Sequence, residues 1–470
     1  MKRLNKFLNL IVAVSLVLTL LPLSGCGKEE ESDAIVLRVS NWEEYIDEGD
    51  WAEDELIDLD NGDIIGINSM VDDFEEWYYE TYGQKVIVEY STFGTNEELY
   101  NQITIGDVYD LVCPSEYMIM KMIREGMVVP YSEEFKDTSN ENNYYVRGLS
   151  PYIRDVFKEL NIEGESLDTY AAGYMWGTLG FVYNPMEVSA EEASGWDLLV
   201  NKDYYKRVTI KDSVRDAYFA AIAMNCYDEI TDADFTLRPD YHEALSEALN
   251  RTDAETVDAV QEILTDCKDN AYSFETDSGK ADLVTGKVVA NEQWSGDAVY
   301  TMDQADEDGV ELAYSVPEEG SNLWFDGWVM LESGISEDSR KLHAAESFVN
   351  FLSRPDNAVR NMYYIGYTSV ISGGEDDTMF QYVDWTYGVD EEDMDEACPY
   401  DISYFFTGTE GILYTYEDQL SRQLYAQYPT LDVMNRCVVM ECFPDEANSR
   451  INRMWTNVRC FDMSSIFNKD

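Results

Sequence analysis

Residues 35–42 read Ile-Val-Leu-Arg-Val-Ser-Asn-Trp, and the fold is decided by reading outward from them. Ile35 to Ser40 is a short run rich in branched side chains, as a strand requires, and it ends at Asn41-Trp42. Further on, Phe74 to Tyr82 is aromatic and acidic at helical spacing, and Gly83 stands where a helix C-cap belongs. Lys85 to Tyr90 follows as a second strand. Thr95-Asn96-Glu97-Glu98 is a capping box, in which hydroxyl and carboxylate satisfy amides at the start of the next helix. Tyr109 to Cys113 reads as a buried strand that breaks at Pro114-Ser115, with a helix through Lys121 to Glu125. Strand, helix, strand, helix predicts a layered α/β domain.

The alternation returns downstream. Val208 to Ile210 is followed by Asp212-Ser213 opening a helix through Met224. Thr252-Asp253-Ala254-Glu255 caps another, with Val257, Val260, Ile263 and Leu264 on one face. Val288 to Ala290 and Val329-Met330 read as short strands. A helix from Arg340 to Leu352 presents Ala344, Ala345, Phe348, Val349 and Leu352 to a core and ends before Pro355. About 430 residues of such pattern exceed what one core supports, so two lobes are expected.

The N-terminus carries its own signal. Lys2, Arg3 and Lys6 precede an apolar run from Phe7 to Leu23, and Leu23-Ser24-Gly25-Cys26 follows at once. That order predicts a signal peptide over residues 1–25 and lipidation of Cys26. The body is then expected outside the cytoplasm, anchored to the cell membrane by lipid alone. Gly27 to Ala34 is small and acidic and reads as a flexible tether. No later segment approaches the roughly 20 apolar residues of a membrane span.

Ninety-four acidic residues stand against thirty-two basic ones, a formal charge of −62 that becomes about −65 without the leader. Nucleic acid and anionic lipid surfaces are poor partners for such a surface, whereas a cationic solute is attracted. Most of the acids read as solvated surface all the same. Two stretches look like acidic insertions, Glu48 to Met70 and Gly388 to Asp401. Asp58, Asp60 and Asp63 resemble a calcium loop, but Gly62 stands where its third ligand belongs and no glutamate closes it. No metal or other cofactor is expected. Beyond Cys26 there are seven cysteines, without CxxC spacing, and Cys437 with Cys442 is left open as a pair.

Catalysis finds little support. Only His242 and His343 are present, His343 on the polar face of its helix, with no HExxH, GxSxG, phosphate loop or GxGxxG. A surface glycosidase working through paired carboxylates is the enzyme alternative in so acidic a chain. What the chain does carry is aromatic residues beside acids: Trp42-Glu43-Glu44-Tyr45, Gln293-Trp294-Ser295-Gly296-Asp297 and Leu323-Trp324-Phe325-Asp326. A flexible alkyl rod bearing ammonium groups needs such a set. Ring faces wall its methylenes and attract its cations, by about 0.5–2 kcal/mol each, and carboxylates fix the register. Taken singly, each tryptophan reads first as a partly buried core residue.

Six segments in order then carry a resemblance. Val39 to Ile46 (VSNWEEYI), Tyr109 to Tyr117 (YDLVCPSEY), Tyr174 to Gly177 (YMWG), Pro317 to Asp326, Phe351 to Asp356 (FLSRPD) and Ile365-Gly366-Tyr367 resemble the bacterial spermidine/putrescine-binding proteins. The likeness is collinear from residue 35 to about 370 and fades beyond 376. It implies an α/β, two-lobed type II periplasmic-binding-protein fold, with a ligand cleft between the lobes and a two-strand hinge. The expected first lobe comprises residues 35–177 and 327–375, and the second residues 178–326 and 376–470. The resemblance implies a polyamine ligand, an ABC importer with its permease subunits as partner, and a monomer. Trp42, Tyr45, Tyr117, Trp294, Trp324 and Tyr367 would line the cleft. Glu44, Asp216 and Asp326 would be its carboxylates, and Ser115 would add a hydroxyl or else cap the helix after it. A second acid near Asp216 is left open between Asp212 and Ser213, and no C-terminal contact is assigned. A binder of another small solute with the same fold remains the alternative.

Overall fold

The structure, a computed structural model, describes residues 34–52, 55–335, 338–406 and 411–460. The expected leader, Cys26 and most of the tether lie outside the described residues. No helix among those described is long and apolar enough to cross a membrane.

Ile35–Trp42 turns Ile35, Leu37 and Val39 into the core and pairs in parallel with Val86–Phe93 on one side and Leu111–Val112 on the other. The helix between the first two strands, Met70–Tyr82, starts where the Ser69 side chain accepts from the Asp72 amide. It buries Met70, Phe74 and Tyr78 and stops at Gly83, whose φ of 69° a residue with a Cβ adopts only under strain. Thr95 caps the helix Asn96–Ile105 by accepting from the Glu98 amide. The strand expected over Tyr109 to Cys113 is reduced to Leu111–Val112, and the helix after it begins earlier than expected, spanning Glu116–Arg124.

Two long strands, Ala171–Tyr183 and Ser321–Leu331, are buried along their whole length and run antiparallel to each other. At one end Val329 and Met330 pair with Leu111–Val112, joining the first set of parallel strands. At the other end Leu179 to Tyr183 pairs with Ala290–Trp294, which leads on to Val208–Lys211 and Ser273–Glu275. One hydrogen-bonded path therefore runs through both halves of the molecule, with the long pair in the middle. The apolar residues separate only in part. Leu37, Phe74, Leu111 and Phe348 lie in one cluster, which runs on past the long strands to Val299 and Tyr314, and Phe181, Trp196, Ile222 and Leu264 lie in another.

The C-terminal segment does not act as one block. Helix Thr378–Tyr387 packs on Pro355–Ile365, which belongs with the first lobe, and Tyr382 and Val383 enter that lobe's cluster. Helix Asp445–Arg459 packs instead on Ala254–Asn270 of the second lobe. The expectation that residues 376–470 belong wholly to the second lobe is thus corrected, because the apolar face of 378–387 is buried elsewhere. The first acidic insertion is also less loose than its composition suggests. Trp51, Ile57, Leu59 and Ile64 are buried, and Asp47, just before the insertion, is fully buried in an ion pair with Arg360 at 2.6 Å. Arg360 also holds Asp73 at 2.7 Å. His343 is not on a purely polar face: it is half-buried, with Nδ1 2.9 Å from the Tyr78 hydroxyl. Cys437 and Cys442 are both free thiols.

Candidate ligand-binding cleft

A cavity of about 1110 Å³ opens between the lobes beside the long strand pair. All ten residues singled out in the sequence line it: Trp42, Glu44, Tyr45, Ser115, Tyr117, Asp216, Trp294, Trp324, Asp326 and Tyr367. The placement follows from strand direction. Trp42 ends the first strand, Ser115 and Tyr117 follow Leu111–Val112, Asp216 follows Val208–Lys211, and Trp294 ends its own strand. Ligands of open α/β sheets sit outside these carboxyl ends, and here two such ends face each other.

Local contacts explain the short motifs. Asn41 donates from Nδ2 to the Tyr45 carbonyl at 3.1 Å, and the Tyr174 hydroxyl donates to the same carbonyl at 2.9 Å. The turn carrying Glu44, which has a φ of 53°, and Tyr45 is thereby fixed from two sides. Gly177 lets Trp324 and Ser295 approach the strand. A Cβ there would stand 2.2 Å from Ser295 Oγ and 2.6 Å from the Trp324 ring. Gly296 is under similar demand, since its Cβ would lie 2.0 Å from the Tyr367 ring.

Asp326 is the centre of the first-lobe side. The Tyr45 hydroxyl donates to Oδ2 at 2.8 Å and Ser115 Oγ donates to Oδ1 at 2.7 Å. Ser115 makes no capping bond to its helix, so its hydroxyl is given to Asp326 rather than to the helix start. Burial pushes the Asp326 carboxyl up to about 6, against the opposing pull of the Ser115 and Tyr45 donors. Among the described residues no basic side chain pairs with it. Around it Tyr45 and Trp324 each set their ring centroid 5.5 Å from that of Tyr367, and Trp42 leans on Phe93 at 4.7 Å. The Trp42 indole is directed at Asp326 and joins Ser115 and Tyr45 in lowering its carboxyl.

On the second-lobe side Asp216 is buried and accepts from Trp294 Nε1 at 3.2 Å. Its carboxyl is raised by burial, with Ser213, Trp294 and the nearby charges of Lys211 and Arg215 opposing. Of the two positions left open beside it, Ser213 caps the helix by accepting from the Asp216 amide, and Asp212 pairs with Arg459 at 2.7 Å. The sequence reading passed over four groups here. Asp297 takes Lys211 at 3.2 Å, Lys280 at 2.9 Å and a hydrogen bond from the Tyr367 hydroxyl at 3.1 Å. Burial alone would raise the Asp297 carboxyl, but the two lysines bring it below its ordinary value. Lys211 Nζ also lies 4.2 Å above the Trp294 ring. Arg215 stacks on Tyr117 at 4.7 Å and on Phe443 at 4.1 Å, spanning the cleft from one lobe to the other. Asp297 stood in a quoted motif, and Lys211 interrupts an apolar strand; those were the available signals. The C-terminal segment, to which no contact was assigned, brings Met440 and Trp455 to the wall.

In all, ten carboxylate side chains and two basic ones line the cavity, so its potential is negative and draws in cations.

Comparison with known proteins agrees with this architecture. The family model described as bacterial extracellular solute-binding protein matches residues 69–382. The spermidine/putrescine-binding periplasmic protein of Salmonella typhimurium is 26% identical over 345 residues, covering 73% of this chain and 80% of that protein. The putrescine-binding periplasmic protein SpuD of Pseudomonas aeruginosa is 25% identical over 346 residues, covering 71% and 77%. Among solved structures, the spermidine/putrescine ABC transporter substrate-binding protein PotD of Streptococcus pneumoniae superposes with a TM-score of 0.59 at 22% identity. It covers 91% of this chain and 99% of that one, and shares the two-lobed fold. These relatives are named as binding proteins, which removes the glycosidase alternative. The chain belongs to the bacterial extracellular solute-binding protein family and is a binding protein, not an enzyme.

Proposed function

We propose that this chain captures a polyamine in the cleft and delivers it to the permease subunits of an ABC importer. The observation that carries the reading is a pair of buried carboxylates, Asp326 and Asp216, neither within ion-pair distance of a basic side chain among the described residues, in a cleft walled by aromatic rings. A buried anion hydrogen-bonded by neutral donors, with no cation in direct contact, is ready to accept one that arrives with the ligand. Tyr45 and Ser115 orient the Asp326 oxygens for one ammonium, and Trp294 orients Asp216 for another. Trp42, Trp324 and Tyr367 flank the methylenes between them, with Tyr117 and Glu44 at the first-lobe edge. The names of the relatives point the same way. Bending of the long strand pair closes the lobes on the ligand, the hinge motion of two-lobed binding proteins.

The working form is extracytoplasmic and monomeric, tethered through a lipid on Cys26. Titration calorimetry with putrescine, spermidine and spermine tests the reading. Binding should raise the melting temperature and alter tryptophan emission through Trp42, Trp294 and Trp324. A folded protein that shows no heat, no melting shift and no emission change at millimolar polyamine would refute it.

A further inference from the structure

We infer that Lys211 and Lys280 restrict the cleft to ligands with two ammonium groups, by supplying from the chain itself the cations that a third ammonium would have replaced. The inference rests on the polyamine reading and adds a specificity to it.

A ligand ammonium taken out of water needs a desolvated anion as its partner. Six of the ten cleft carboxylates are exposed, where water and salt screen them. Four are buried: Glu116, Asp216, Asp297 and Asp326. Glu116 accepts a long hydrogen bond from the Phe325 amide, at 3.4 Å, and bonds its own amide. Burial, aided by the Asp326 charge and opposed by Arg215, pushes its carboxyl up to about 8, so near neutral pH it is largely protonated and a weak partner for a ligand cation.

Asp297 has the other requirements of an ammonium site. It is buried, a tyrosine hydroxyl orients it, and Trp294 lies alongside. Each of its carboxylate oxygens, however, already meets a lysine. Lys211 is 1% exposed and fixed, with Nζ held by the Thr276 carbonyl as well as by Asp297. The same Nζ stands over the Trp294 ring, so the negative potential of that face is partly cancelled before any ligand arrives. A third ammonium would have to expel a lysine from Asp297: Lys211, buried, would be left to the Thr276 carbonyl, and Lys280 to the exposed Asp277 at 3.5 Å. Asp216 and Asp326 are the two buried anions that remain, and a diamine matches that number.

The mature chain titrated with putrescine, with its five-carbon homologue and with spermidine provides the test. Both diamines should bind at least about ten-fold more tightly than spermidine. Lys280→Gln leaves Lys211 in place and alters a side chain that is 22% exposed, so the fold is kept. It should shift the spermidine-to-diamine affinity ratio toward spermidine by about ten-fold or more, while Lys287→Gln, a surface control, leaves the ratio unchanged. Lys211→Met should shift it the same way, and if that variant does not fold the Lys280 variant decides. Spermidine binding the parent as tightly as putrescine, or an unmoved ratio in folded Lys280→Gln, overturns the inference while the polyamine reading stands. A parent that binds none of the three overturns both.

Discussion

Asp326 joins three separate parts of the chain: its own long strand, the turn after the first strand through Tyr45, and the helix start at Ser115. Its value to a ligand lies in charge held away from water, and Asp326→Asn removes that charge while keeping the shape. The expected loss is about 2–5 kcal/mol of polyamine binding, the cost of leaving a buried cation unpaired. Glu392→Gln, on the exposed short helix Glu391–Glu396, removes the same formal charge and should be nearly silent. Calorimetry on the two variants separates a built site from general acidity. Equal affinities would mean that the −62 background does the binding. At this scale the sequence was informative where aromatic and acidic residues are neighbours. It was silent on the pairing of Lys211 with Asp297, which lie 86 residues apart and meet only through the sheet.

At the scale of elements, the cleft depends on close approach to the long strands. Gly296 opens the helix Ser295–Glu307 directly against Tyr367, and Gly177 does the same for Trp324. Gly296→Ala should push the Tyr367 ring off the cleft wall, at an overpacking cost of about 1–3 kcal/mol, and weaken polyamine binding by about ten-fold or more. Gly83→Ala, where open space surrounds the Cβ, should lower the melting temperature through backbone strain and leave affinity alone. Should both variants bind like the parent, the close contact is not what positions Tyr367. Helix caps such as Ser69, Thr95 and Gly83 could be read directly, because a cap is a local exchange of hydrogen bonds. The long strands could not. Ala171–Tyr183 is covered on both faces, so its side chains do not alternate. Ser321–Leu331 carries Asn322 and Asp326 inside, and only its end at Val329-Met330 looked like a strand.

For the whole molecule, the buried carboxylates set an unusual response to pH. Burial raises Glu116 and Glu292 to about 8, Glu319 to about 7 and Asp326 to about 6. The folded state keeps these protons to higher pH than the unfolded chain does, so each group favours folding more as pH falls through its folded value. Without ligand, the melting temperature should therefore rise on acidification from about pH 8.5 to about pH 6. The gain should end at lower pH, where Asp297 and Glu229, both held below their ordinary values, are forced to protonate. Scanning calorimetry across that range checks it, and a melting temperature that falls steadily from pH 8.5 downward would sink the idea. Two lobes followed from chain length and the repeated alternation, but the sharing of the C-terminal segment between them did not, since residues 376–459 join whichever apolar face is open. The central strand pair also bears on how the chain folds. Ser321–Leu331 completes the sheet against strands some two hundred residues earlier in the first lobe and against Ala171–Tyr183. The first half cannot complete its sheet until residues 321–331 are made, whereas the second-half strands can pair with Leu179 to Tyr183 before then. Closing the first lobe is therefore a slow, long-range event that comes late in the life of the chain.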